Sequence, residues 1–237
     1  MSTTKLQRLP EDVREVAWRF VVGAGAGAIV GVVLGGIGGR LAMLVLRLGS
    51  SEALHGLATD DGFQIGRIST ETFFLLVVAG GLGAASGVMY VTIRRALPSR
   101  GRARLLGVVV ALVTGANIVD PESFDFSTLD PKAFAIAAFT VLPGLAAFTI
   151  AIAIERLLVI EPWSSRALAI VLSLAALVLN VVLVVVVAVA GMALGLRRSP
   201  VLADRLLSVA RIVVPVALVA VAARSGVELW RDANALL

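Results

Sequence analysis

Residues 21–40 read VVGAGAGAIVGVVLGGIGGR, an apolar stretch in which glycine recurs at every fourth position: Gly23, Gly27, Gly31, Gly35 and Gly39. Residues four apart lie on nearly the same face of an α-helix. A face made of glycine lets the backbone of another helix approach closely, and such packing of small residues is a main cause of helix association in lipid. The stretch therefore predicts a transmembrane helix packed tightly against a second helix.

The composition extends this prediction to the whole chain, because 59% of its 237 residues are hydrophobic. A bilayer accepts that much apolar surface, whereas a soluble domain cannot hide it. We therefore expect an all-α, polytopic integral membrane helical bundle. Cysteine is absent and His55 is the single histidine, which excludes disulfides, thiolate ligands and multi-histidine metal sites. Neither G-x-S-x-G nor H-E-x-x-H occurs, so we expect no enzyme, no catalytic residues, no metal and no cofactor.

Six apolar segments predict six transmembrane helices within a membrane domain over residues 20–223. They cover approximately residues 20–46, 72–93, 105–119, 133–154, 167–196 and 202–223. A cytoplasmic amphipathic lead-in is expected over residues 1–19, with Trp18 at the level of the headgroups, and a short tail over residues 224–237. Five spans are the alternative, because Arg197 and Arg198 lie on the unfavourable side of the last predicted hairpin.

The distribution of arginine predicts the orientation. The loop after the second span holds Arg94, Arg95, Arg100, Arg102 and Arg104 with no acid among them, whereas residues 120–130 are acidic. Arginine and lysine mark cytoplasmic loops, which places the N-terminus inside and, with six spans, the C-terminus inside as well. The same rule explains the net charge of +5 without nucleic acid as a partner. The preference for arginine over lysine is typical of a GC-rich bacterial genome, so the expected location is a bacterial inner membrane.

The second predicted span offers a face that matches the glycine stripe. Gly83 and Gly87, preceded by Ala79, repeat the spacing of four residues. Two interpretations remain open for this helix-packing set. The stripe packs the first span against the second within one subunit, or it forms the interface of a homo-oligomer, including one arranged around a pore.

Four polar residues near span ends form a second candidate site. Under the six-span arrangement Arg40, Asn117, Asp120 and Arg211 converge on the outer side of the membrane. Polar groups at membrane depth are costly and often functional, and an arginine paired with an aspartate could form an anion site or a gate. In the alternative interpretation both arginines extend to the outer headgroups, and Asp120 caps a short helix that begins at Pro121.

These features predict a structural, accessory or assembly component whose role is helix packing, because everything distinctive in the sequence concerns packing. The expected partners are the lipid bilayer and a homo-oligomer or larger membrane complex. A channel or passive transporter for ions or small solutes is the alternative. A proton-coupled carrier is disfavoured, because acids and histidine are missing from the span centres.

Overall fold

The computed structural model describes residues 3–50, 70–123, 130–159 and 200–236. Most of these residues are helical and none is in a strand, which confirms the all-α class for the described part of the chain. The elements in chain order are α1 (Thr3–Val30), a π-helical segment (Gly31–Gly38), α2 (Gly39–Gly49), α3 (Thr70–Ile93), α4 (Arg102–Ile118), α5 (Lys132–Leu157) and α6 (Pro200–Leu236).

The first three elements form one continuous helix. Val30 and Gly38, at the two junctions, keep right-handed helical dihedral angles, so the π-helical turns interrupt the hydrogen-bond register without turning the chain. The lead-in predicted to end at residue 19 therefore runs directly into the apolar stretch. Trp18 is only 8% exposed and packs against Val22 and Tyr90 inside the bundle, so the structure does not place it at a headgroup surface.

Four helical stretches are long and apolar enough to cross a membrane, which is consistent with a membrane protein. They are Glu15–Gly49, Phe73–Ile93, Lys132–Leu157 and Leu207–Leu236. The count of six predicted from the sequence is not supported. The third predicted span corresponds to α4, whose 17 residues rise about 25 Å. The fifth, over residues 167–196, lies outside the described residues.

The helices alternate in direction between two ends of the bundle. At the arginine-loop end, which we define by residues 94–104, a core cluster joins Trp18, Tyr90, Leu106 and Ile154. At the opposite end, another cluster joins the buried side chains of Leu46, Val119, Ala135 and Leu236. Helix α1 therefore runs from the first end to the second, α3 and α5 return, and α4 runs parallel to α1.

Helix α6 also runs parallel to α1. Val214 and Leu218, in its first half, pack beside the cluster at the arginine-loop end, whereas Leu236 belongs to the cluster at the opposite end. The six-span arrangement requires the sixth helix to run the other way and both termini to lie on one side. The structure instead separates Trp18 and Leu236 by the length of the bundle.

Candidate functional site

The first half of the glycine stripe forms a contact between the backbones of α1 and α3. A Cβ atom added to Gly23 would lie 2.9 Å from the carbonyl oxygen of Gly87. Cβ atoms at Gly27 and Gly83 would each overlap the carbonyl oxygen of the other residue. One at Gly31 would overlap the carbonyl oxygen of Ala79. Only glycine permits this approach, so these positions determine the distance between the two helices.

The second half of the stripe leaves this interface. A Cβ atom at Gly35 would meet only the methyl group of Ala79, at 3.4 Å, and Gly35 is exposed. A Cβ atom at Gly39 would have nothing within 4 Å among the described residues. The structure therefore brings Gly83 and Gly87 against Gly23, Gly27 and Gly31, but it does not bring them against Gly35 or Gly39.

A second contact of this kind joins α4 and α5. A Cβ atom at Gly144 would lie 2.7 Å from the carbonyl oxygen of Gly107 and 2.6 Å from the Cβ atom of Ala111. One turn further along α4, a Cβ atom at Gly115 would lie 2.7 Å from Oγ1 of Thr140. This interface was not among those predicted from the sequence. Its signal was present, because Gly107, Ala111 and Gly115 repeat the spacing of four residues found in the stripe.

A hydrogen-bonded ion-pair network closes the arginine-loop end of the bundle. Glu155 is the only acid in α5, and the side chains of three residues contact its carboxylate. The hydroxyl of Tyr90, the single tyrosine of the chain, donates to Oε1 at 2.7 Å. Arg94 donates from Nε to Oε1 at 3.0 Å and from Nη2 to Oε2 at 2.8 Å, and Nη1 of Arg102 lies 3.4 Å from Oε1.

This network joins four parts of the chain, namely the ends of α3 and α5, the loop after α3 and the start of α4. Tyr90 is fully buried, and the side chains of Arg94, Arg102 and Glu155 are 20%, 24% and 28% exposed. Arg94 binds the carboxylate in a bidentate geometry, in which guanidinium and carboxylate interact most strongly. The arrangement can orient the side chains of Arg94 and Arg102 and hold the helix ends together. The network was not predicted from the sequence. Its signal was that Glu155, the only acid of α5, and Tyr90, the single tyrosine, each lie near the end of an apolar segment.

The structure does not bring the four predicted polar residues together. Arg40 lies on α2, and Asn117 and Asp120 flank Val119, which shares a cluster with Leu46 of α2. These three residues therefore occupy the half of the bundle away from the arginine loop. Arg211 lies instead beside Arg94 and Arg102, where it lines a cavity at the arginine-loop end.

Asn117 and Asp120 form hydrogen bonds with residues close to them in the sequence. The amide of Asn117 is exposed and donates to the carbonyl oxygen of Val113 in its own helix, at 2.7 Å. Oδ1 of Asp120 accepts from the backbone N–H of Glu122 at 2.9 Å, and the carbonyl oxygen of Asp120 accepts from the N–H of Ser123. Asp120 thus stabilises a turn at Pro121, whereas the sequence suggested a helix cap there. In Arg40, the Nε and Nη2 atoms are shielded from solvent.

Among the described residues, no group of three or more histidine, aspartate or glutamate side chains is placed to hold a metal ion. Comparisons with protein families, with curated proteins and with solved structures find no match for this chain.

Proposed function

We propose that this protein is a non-enzymatic structural or assembly component of a bacterial inner membrane, which packs against a second copy of itself through its first helix. The observation that carries the proposal is the division of the glycine stripe. Gly23, Gly27 and Gly31 pack inside the bundle, whereas Gly35 is exposed and Gly39 is open among the described residues. Gly35 and Gly39 form the G-x-x-x-G spacing through which identical membrane helices pair.

The internal packing supports a structural role. Backbone contacts between α1 and α3 and between α4 and α5, together with the network around Glu155, hold these four helices together. A channel is less well supported. That alternative requires Arg40, Asn117 and Arg211 to line one cavity, and Arg211 lies at the other end from the first two.

The test is native mass spectrometry of the protein extracted with its lipids, applied to the Gly39→Ile variant. We expect the unaltered chain to be dimeric or larger and Gly39→Ile to be monomeric but still folded, with an unchanged circular dichroism spectrum, because nothing within 4 Å opposes a Cβ atom there. Gly31→Ile is a poor test, because it would overlap the backbone of α3 and unfold the bundle. An unaltered chain that is monomeric in mild detergent, or an oligomer that survives Gly39→Ile, would refute the proposal.

A further inference from the structure

A basic cavity opens between α4 and α6 at the arginine-loop end. Its volume is about 800 Å³, and the described residues that line it include Arg94, Arg95, Arg102 and Arg211 and no acid. Leu97 and Pro215 add apolar surface on its inner side. Such a cavity suits an anion that also carries an apolar part.

An apolar groove of about 590 Å³ lies between the same two helices. Its wall includes Leu105 and Leu112 of α4 and Val219 and Trp230 of α6. On α4 the cavity reaches Arg102 and the groove begins at Leu105, and on α6 they reach Pro215 and Val219, so about one helical turn separates them. Because α4 and α6 run parallel, the cavity and the groove lie one after the other along these helices, and we treat them together as one crevice that is basic at the helix ends and apolar towards the middle of the bundle.

From this crevice we infer a binding site for one anionic phospholipid. The headgroup phosphate lies among the arginines, and an acyl chain follows the groove towards Trp230. Guanidinium groups match phosphate oxygens in geometry and charge, and basic pockets between transmembrane helices bind anionic headgroups. A free phosphate would leave the apolar groove unused. A zwitterionic lipid would gain less than an anionic one from a site in which Glu155 is paired with only two of the four arginines.

The arginines of the cavity have different roles. Glu155 holds Arg94 and Arg102 through ion pairs at 2.8 and 3.4 Å, so these two are oriented before a ligand arrives. Arg211 forms no ion pair or hydrogen bond with the residues that the structure describes. Arg211 is exposed and lines the cavity, and changing it leaves the Glu155 network intact.

The fluorescence of Trp230 can report lipid binding, because Trp230 lines the groove and is 71% exposed. In a Trp18→Phe, Trp163→Phe background it is the only tryptophan of the chain, which has three. The protein in detergent is titrated with phosphatidylglycerol or phosphatidylcholine that carries bromine on the acyl chains, which quenches tryptophan on contact. We expect phosphatidylglycerol to quench at lower concentration than phosphatidylcholine.

We expect Arg211→Gln to reduce this preference about fivefold, the usual effect of one basic residue on anionic lipid binding. The matched control is Arg224→Gln, because Arg224 lies on the same helix, is exposed and pairs with Glu228 outside the cavity. Equal quenching by the two lipids, or a preference that survives Arg211→Gln, overturns the inference. Arg211-dependent binding of inorganic phosphate without any lipid preference overturns the assignment to a lipid.

Discussion

The hydroxyl of Tyr90 donates a 2.7 Å hydrogen bond to the carboxylate of Glu155, which lies 65 residues later in the chain. The same carboxylate forms ion pairs with Arg94 and Arg102. One acid at the end of an otherwise apolar helix thus connects α3, α4 and α5. Two of the five arginines of this loop, Arg94 and Arg102, therefore have a structural role besides the one expected in orienting the chain.

We expect Glu155→Gln to lower the free energy of unfolding by about 1–3 kcal/mol, because two partly buried arginines lose their shared counter-charge. Denaturation in detergent, followed by circular dichroism, measures the change. The matched control is Glu228→Gln, which removes an exposed ion pair within one helix and is expected to have little effect. Equal effects of the two substitutions would contradict a role for the network in stability.

The two halves of the glycine stripe are expected to respond in opposite ways to alanine. Gly27→Ala places a methyl group into the carbonyl oxygen of Gly83 and is expected to cost about 1–3 kcal/mol of stability. In a detergent in which the protein is monomeric, Gly39→Ala meets nothing within 4 Å and is expected to be neutral or to stabilise by up to about 1 kcal/mol, since alanine favours the helix. Thermal unfolding of both variants measures the difference. A loss at residue 39 as large as that at residue 27 would show that the interface is misplaced.

A buried hydroxyl provides a third prediction. Oγ1 of Thr140 is shielded from solvent and has no hydrogen-bond partner among the described residues. Valine has nearly the same shape, so Thr140→Val is expected to stabilise the protein by about 1 kcal/mol, because it removes an unsatisfied polar group. Thr149→Val is the comparison. The hydroxyl of Thr149 donates to the carbonyl oxygen of Leu145 at 2.7 Å, and its loss is not expected to stabilise. A melting temperature lowered by Thr140→Val would mean that the hydroxyl is satisfied in the membrane.

The direction of α6 predicts the sides on which exposed residues lie. The chain has no cysteine, so single-cysteine variants can be labelled in intact cells with a membrane-impermeant maleimide. We expect Asn234→Cys and Glu122→Cys to be labelled from outside, and Ser99→Cys only after the cells are opened, because Ser99 lies in the arginine loop. Labelling of Ser99→Cys and Asn234→Cys from the same side would contradict the parallel arrangement of α1 and α6.

The interface between α1 and α3 could be read from the sequence because its signal is local. A spacing of four residues places glycine on one helix face, and Ala79, Gly83 and Gly87 show the same spacing. The contact between Gly27 and Gly83 agrees with those two patterns, although the patterns left open whether the partner helix belongs to the same subunit or to a second copy. The contact of Gly107 with Gly144 has the same cause. The spacing of Gly107, Ala111 and Gly115 indicates it in the sequence.

The position of Arg211 could not be read in the same way. Each added crossing of the membrane reverses the side on which the following residues lie, so one error in the number of spans before α6 moves Arg211 from one end of the bundle to the other. Hydropathy determines that number poorly when segment lengths are uneven. The Glu155 network is equally non-local, because Tyr90 and Glu155 meet only once α3 and α5 are packed.

The glycine contacts also determine which second mutations can restore a damaged interface. At Gly27 the obstacle to a larger residue is the backbone carbonyl of Gly83, which no substitution removes. A selection for suppressors of Gly27→Ala should therefore return only glycine at residue 27. At Gly115 the nearest obstacle is the side chain of Thr140. Gly115→Ala should accordingly be suppressed by Thr140→Ala, so Gly27 and Gly115, which look alike in sequence, differ in how freely they can change during evolution.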